Sequence, residues 1–194
     1  MLKKNPGVES DLLSSIGRGV HDVGVGALIG GNLFGRVALH PSLSEVGDER
    51  ERGRLLNRSW QRYGPVNAAA LAAVVGGWAG ARLDEARPGM LSERERRLAL
   101  GKDAAVGAVT VTGLATIVAG ILFSATEPDG AVPMESGERP APQASERSER
   151  LKRLVNALGA LQLGSAIGLA GVNAALAQSN FRRPPARRLL RRRY

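Results

Sequence analysis

Five polar side chains stand inside otherwise apolar stretches: His21, Asp22, Asn32, Gln162 and Asn173. Groups of this kind are costly in hydrocarbon, so their spacing is informative. His21 and Asn32 are eleven residues apart, and so are Gln162 and Asn173. Eleven residues are close to three helical turns, which puts each pair on one helix face. If the two helices run antiparallel, His21 meets the depth of Asn173, and Asn32 meets that of Gln162. Two kinds of chemistry fit. The five residues form hydrogen bonds that fix helix register, each worth roughly 0.6–2 kcal/mol, or they line a polar path. Asp22 also has Arg18 one turn before it as an ion-pair partner.

Other chemistry has little support. The chain has two His, no Cys and three Met. His21 and His40 would lie about 28 Å apart on one helix, too far to share a metal. There is no zinc-protease, phosphate-loop, dinucleotide or nucleophile-elbow pattern. No enzyme activity, cofactor or metal is expected.

The elements that hold these residues read as membrane spans. Ala104–Thr126 (AAVGAVTVTGLATIVAGILFSAT) has 23 residues and no Asp, Glu, Lys, Arg, His or Pro. As a helix it reaches about 35 Å, against roughly 30 Å of hydrocarbon. Leu154–Phe181 is charge-free over 28 residues, with the span best placed at 155–177. A second span is expected near 64–82 and a first, less apolar one near 18–40. Pairs at GxxxG spacing (Gly26/Gly30, Gly31/Gly35, Gly76/Gly80, Gly164/Gly168) allow close helix approach and predict self-association. Trp60, Tyr63 and Trp78 suit the membrane edges. Thr110, Thr112 and Thr116 are expected to bond back to their own helix.

The fold expected is therefore all-α: an integral membrane four-helix bundle across residues 16–181. Residues 1–15 form a polar N-terminal segment that is retained rather than cleaved. Asp48–Trp60 (DERERGRLLNRSW) starts the second helix, and Ser92–Glu95 is a capping box for the third. Glu127–Arg147 carries four prolines among Gly, Ser and Glu, and its composition predicts a disordered loop between helices three and four.

Net charge is +9, but it is concentrated in the tail, residues 182–194. Arg182, Arg183, Arg187, Arg188, Arg191, Arg192 and Arg193 would contact anionic headgroups, at about 1 kcal/mol per residue. The same charges place both termini in the cytoplasm by the positive-inside rule, and without them the two sides balance. No fold or aromatic pattern for nucleic acid accompanies them.

The early His in a Gly-rich first span (VHDVGVGALIGGNLF), the polar connector and the aromatic-Gly-Pro start of span two (RYGPVN) resemble a known family. It comprises small four-span bacterial membrane proteins of unknown function, similar to copper-resistance-D type permease domains and to a eukaryotic four-span relative. The resemblance covers about residues 18–80. It implies a four-helix bundle in a bacterial cell membrane and a transport-linked role. The His and Met clusters that copper would need are absent from the sequence, so that function is not carried over. Three functions follow: a non-catalytic structural or interaction component first, then a small permease or solute conduit, then a holin-like permeabilising protein.

Overall fold

The computed structural model describes residues 6–85 and 93–182. Four long helices make up almost all of it: α1 (Pro6–Phe34), α2 (Glu49–Glu85), α3 (Glu93–Ser124) and α4 (Glu146–Arg182). Among the described residues there is no strand, only an isolated bridge between Met134 and Pro140. The tail beyond Arg182 and the Ser92 cap lie outside the described residues, so the headgroup contacts expected of Arg183, Arg187, Arg188 and Arg191–Arg193 do too.

Local chemistry sets the helix ends. Asp48 Oδ1 accepts from Glu51 N at 2.8 Å, capping the acid-rich first turn of α2. Ser145 Oγ accepts from Ser148 N at 3.2 Å and does the same for α4. α1 does not stop at its last regular turn. It widens into a π turn at Gly35–Leu39, then passes through His40–Ser42 and a 3₁₀ turn at Leu43–Glu45. α2 is one continuous helix with Pro65 inside it, so the connector expected before span two is largely part of the same helix.

The helices pair as two antiparallel hairpins. In the first, glycine lets α1 and α2 touch. A Cβ at Gly24 would lie 2.7 Å from Ala70 O, and one at Gly77 would lie 2.5 Å from Gly17 O. Further along, Gly31 and Gly35 face the rings of Tyr63 and Trp60. In the second hairpin larger side chains fill the seam. Val106 and Val109 of α3 meet Ala166 and Leu169 of α4 in a core that Val25, Leu28, Leu71 and Val74 complete. Thr126 Oγ1 accepts from Ser148 Oγ at 2.8 Å where that hairpin ends. Thr110, Thr112 and Thr116 do donate to carbonyls one turn back on α3.

Polarity is arranged with apolar groups outward. Val23, Phe34, Val37 and Val111 are each more than 60% exposed, whereas His21, Gln162, Ser148 and Lys152 are buried. Three segments are long and apolar enough to cross a membrane: Ser14–Glu45, Arg96–Ser124 and Glu146–Gln178. α2 is not among them, since Pro65, Asn67, its glycines and Trp78 dilute its hydropathy.

The expected disorder of Glu127–Arg147 is corrected. The segment folds back over the hairpin ends. Val132 and Met134 are fully buried against Leu43, Leu56 and Phe123. Met134 N donates to Glu49 O at 3.0 Å, and Ala141 N to Pro133 O at 3.0 Å. Asp129 and Gly130, both at positive φ, make the tight turn that starts it. Composition pointed to disorder because it registers the prolines but not the nonlocal site that two apolar side chains fill.

Two neighbouring glycines separate close approach from mere helix flexibility. Gly77→Ala should destabilise the detergent-purified protein by about 1–3 kcal/mol through backbone overpacking. Gly76, whose added Cβ would meet open space, should tolerate alanine with an unchanged or slightly raised melting temperature. Thermal unfolding followed by circular dichroism measures both.

Candidate functional site

A cavity of about 390 Å³ opens between the two hairpins, beneath the folded 127–147 loop. Its size lies in the range of small-molecule sites. All four helices contribute. α1 and its extension supply Asn32, Arg36 and His40, and α2 supplies Asn57, Trp60 and Tyr63. α3 supplies Thr116, Ile117, Ile121 and Phe123, and α4 supplies Lys152, Asn156, Gly159 and Gln162. The loop adds Glu138.

The α4 contribution is a single helical stripe. Lys152, Val155, Asn156, Gly159 and Gln162 recur at three- and four-residue spacing, so all face the same way. The π turn does comparable work on α1, where the wall runs on from Asn32 through Arg36 to His40.

Charges gather at the loop end. Arg36 Nη2 donates to Asn156 O at 3.2 Å, and its Nη1 lies 3.8 Å from the Glu138 carboxylate. His40 Nδ1 lies 3.6 Å from the same carboxylate, and the ring meets Trp60 edge-on at 6.0 Å between centroids. Neither His40 ring nitrogen has a hydrogen-bond partner. Asn156 Nδ2 holds the loop by donating to Glu138 O at 2.9 Å. Lys152 is 3% exposed and sets its ammonium 5.6 Å from the Phe123 ring centroid.

The five residues singled out in the sequence fall into three places. Asn32 and Gln162 reach the same cavity, at the matched depth expected of antiparallel α1 and α4. Asn32 Nδ2 donates to Leu28 O at 3.0 Å on its own helix, and Gln162 Nε2 is buried without a partner. Toward the termini, Asp22 accepts from Asn173 Nδ2 at 2.9 Å on an exposed face. Arg18 donates to Ser15 Oγ at 3.3 Å. His21 does not meet Asn173. Its Nδ1 donates to Val74 O at 2.7 Å, inside the α1–α2 seam, because Gly77 leaves room for its backbone and Cβ there. The five therefore do not form one continuous cluster.

Half-buried Trp78 and Arg82 link two helices. Trp78 Nε1 donates to Asp103 Oδ1 at 2.9 Å, and Arg82 pairs with Asp103 Oδ2 at 2.5 Å, tying α2 to α3.

Sequence reading missed Lys152, Glu138, Asn57 and Arg52. The α4 stripe was visible as a helical repeat ending in Gln162, and a search for polar periodicity before the charge-free run would have found Lys152 and Asn156. Glu138 carried no such signal, since its place depends on the loop. Arg52 holds that loop down by donating to the carbonyls of Met134 and Glu135 at 3.1 and 2.9 Å, and it ties the loop to the α1–α2 connector by donating to Val46 O at 2.6 Å. Asn57 adds a bond to Gly130 O at 2.5 Å.

Arg52→Ala should free the loop while leaving the helices in place. Losing charge-assisted bonds costs about 1.5–3 kcal/mol. Hydrogen exchange at the amides of Met134, Glu135 and Ala141 should accelerate at least tenfold, with the α3–α4 seam unchanged.

Compared with protein families, curated proteins and solved structures, the chain matches none.

Proposed function

We propose that this chain is a four-span integral membrane protein without a catalytic site, serving as a structural or interaction component that self-associates. The observation that carries this reading is the outward apolar face around buried polar groups. A soluble domain would bury Val23, Phe34, Val37 and Val111 and expose Lys152 and Gln162. α2 completes the bundle as the fourth crossing. Its polar interruptions are shielded by α1 on one side and tied to α3 through Asp103 on another. Gly26 and Gly30 on α1, and Gly164 and Gly168 on α4, face open space, which leaves their GxxxG faces available to a second copy. The termini lie on the cytoplasmic side and the 127–147 loop on the other.

The cavity favours a second reading, a small permease or conduit. It places charged and amide side chains between helices that cross the bilayer, where such groups mark solute pathways.

The chain has no cysteine, so single introduced thiols report topology directly. In intact cells Ser136→Cys and Ser44→Cys should both react with an impermeant maleimide, while a thiol at Ser92 should react only after lysis. Three crossings would put Ser136 and Ser44 on opposite sides and overturn the four-span reading. Asn32→Leu with Asn173→Leu separates the two functions. A structural role predicts a lower melting temperature and unchanged solute flux, whereas a conduit predicts altered flux.

A further inference from the structure

We propose that the cavity between the hairpins binds an anionic amphiphile, a carboxylate-type head on an apolar tail, with Lys152 receiving the head. The inference rests on the cavity itself and not on the transport reading, so binding without transport leaves it standing.

The argument begins with a count of donors and acceptors. Lys152 is buried, lines the cavity, and makes no hydrogen bond or ion pair among the described residues. Its nearest described contact is the face of Phe123, and the Glu138 carboxylate acts on it through space without a direct bond. A cation removed from water costs several kcal/mol unless it is paired. A ring face recovers only part of that. Glu138 is the single carboxylate on the wall, half-exposed and already shared between Arg36 and His40. With Arg36 and Lys152 against Glu138, the loop end of the cavity carries a net positive charge. His40, beside Lys152's end of the cavity, adds two ring nitrogens without hydrogen-bond partners. The group this arrangement lacks is an acceptor-only anion, which is what a carboxylate supplies.

The remaining wall specifies the tail. Trp60, Phe123, Leu56, Ile117, Ile121 and Val155 surround the rest of the volume. Gly159 leaves space on α4, since an added Cβ would meet nothing nearer than Arg36 at 3.5 Å. A small inorganic anion would satisfy Lys152 and leave this apolar volume unfilled. A neutral hydrocarbon would fill it and leave the ammonium unpaired. Only a molecule with both parts meets both demands.

The test uses the full-length protein in dodecyl maltoside and isothermal titration with three probes: 4-phenylbutyrate, its alcohol 4-phenylbutanol, and acetate. The acid should bind saturably and at least tenfold more tightly than the alcohol or acetate. Lys152→Met should reduce acid affinity at least tenfold while leaving the alcohol unchanged, and Lys152→Arg should recover most of the loss. Arg150→Gln, two residues away on the exposed face of α4, should have no effect. Gly159→Leu fills the cavity with every charge retained and should abolish saturable binding, which keeps the test decisive if Lys152→Met fails to fold. Displacement of the acid by lysophosphatidylglycerol identifies a membrane lipid as the source of the ligand, and retention identifies a free acid. Equal affinity for acid and alcohol, no saturable binding of the acid, or full binding by Gly159→Leu would overturn the proposal.

Discussion

Between α1 and α2 the two backbones come into contact, because Gly17, Gly24 and Gly77 present no side chain where the helices cross. In hydrocarbon, helices gain little from hiding apolar surface from each other, and close van der Waals approach takes over as the source of cohesion. The same contact fixes His21. Its buried ring donates to Val74 O across the seam. The α3–α4 hairpin instead meets the shared core through Val, Ala and Leu. The two hairpins share a core at Val25, Leu28, Val109 and Leu169, and the cavity lies toward the loop end, with Trp60 and Tyr63 in its wall.

The 127–147 loop covers the end of the cavity where Arg36, His40 and Lys152 gather, and adds Glu138 to it. Burying Val132 and Met134 supplies the driving force, and Arg52, Asn57 and Asn156 fix the backbone by direct bonds to its carbonyls. The result is a cover that belongs to the bundle rather than an appendage to it.

Much of this was legible in the residues. The third and fourth helices follow from charge-free runs whose length alone requires a helix. The antiparallel depth of α1 against α4 follows from the matched spacing of polar residues, and Asp22 with Asn173, and Asn32 with Gln162, lie at those depths. What stayed hidden depends on contacts between residues far apart in the chain. His21 was matched to α4 by depth alone, because nothing local says that glycines on α2 will admit it. The glycines that matter most, Gly17, Gly24 and Gly31, are seven apart rather than four, and the four-residue pairs Gly26/Gly30 and Gly164/Gly168 point outward. Glu138 and Met134 sit in a proline-rich stretch whose local preferences favour no structure, so their roles are set by partners roughly eighty to a hundred residues away. Lys152 looked like one charge among many in an Arg- and Glu-rich run, and only burial distinguishes it.

The wide turn at Gly35–Leu39 has a consequence for how this chain can change. One additional residue in a turn advances the angular phase of everything after it by about 100°. Gly35 within the turn faces the Trp60 ring, and His40 just after it meets that same ring edge-on. Removing one residue from the turn would rotate His40 off the wall it shares with Asn32 and Arg36. The chamber's imidazole therefore depends on the helix keeping its extra residue.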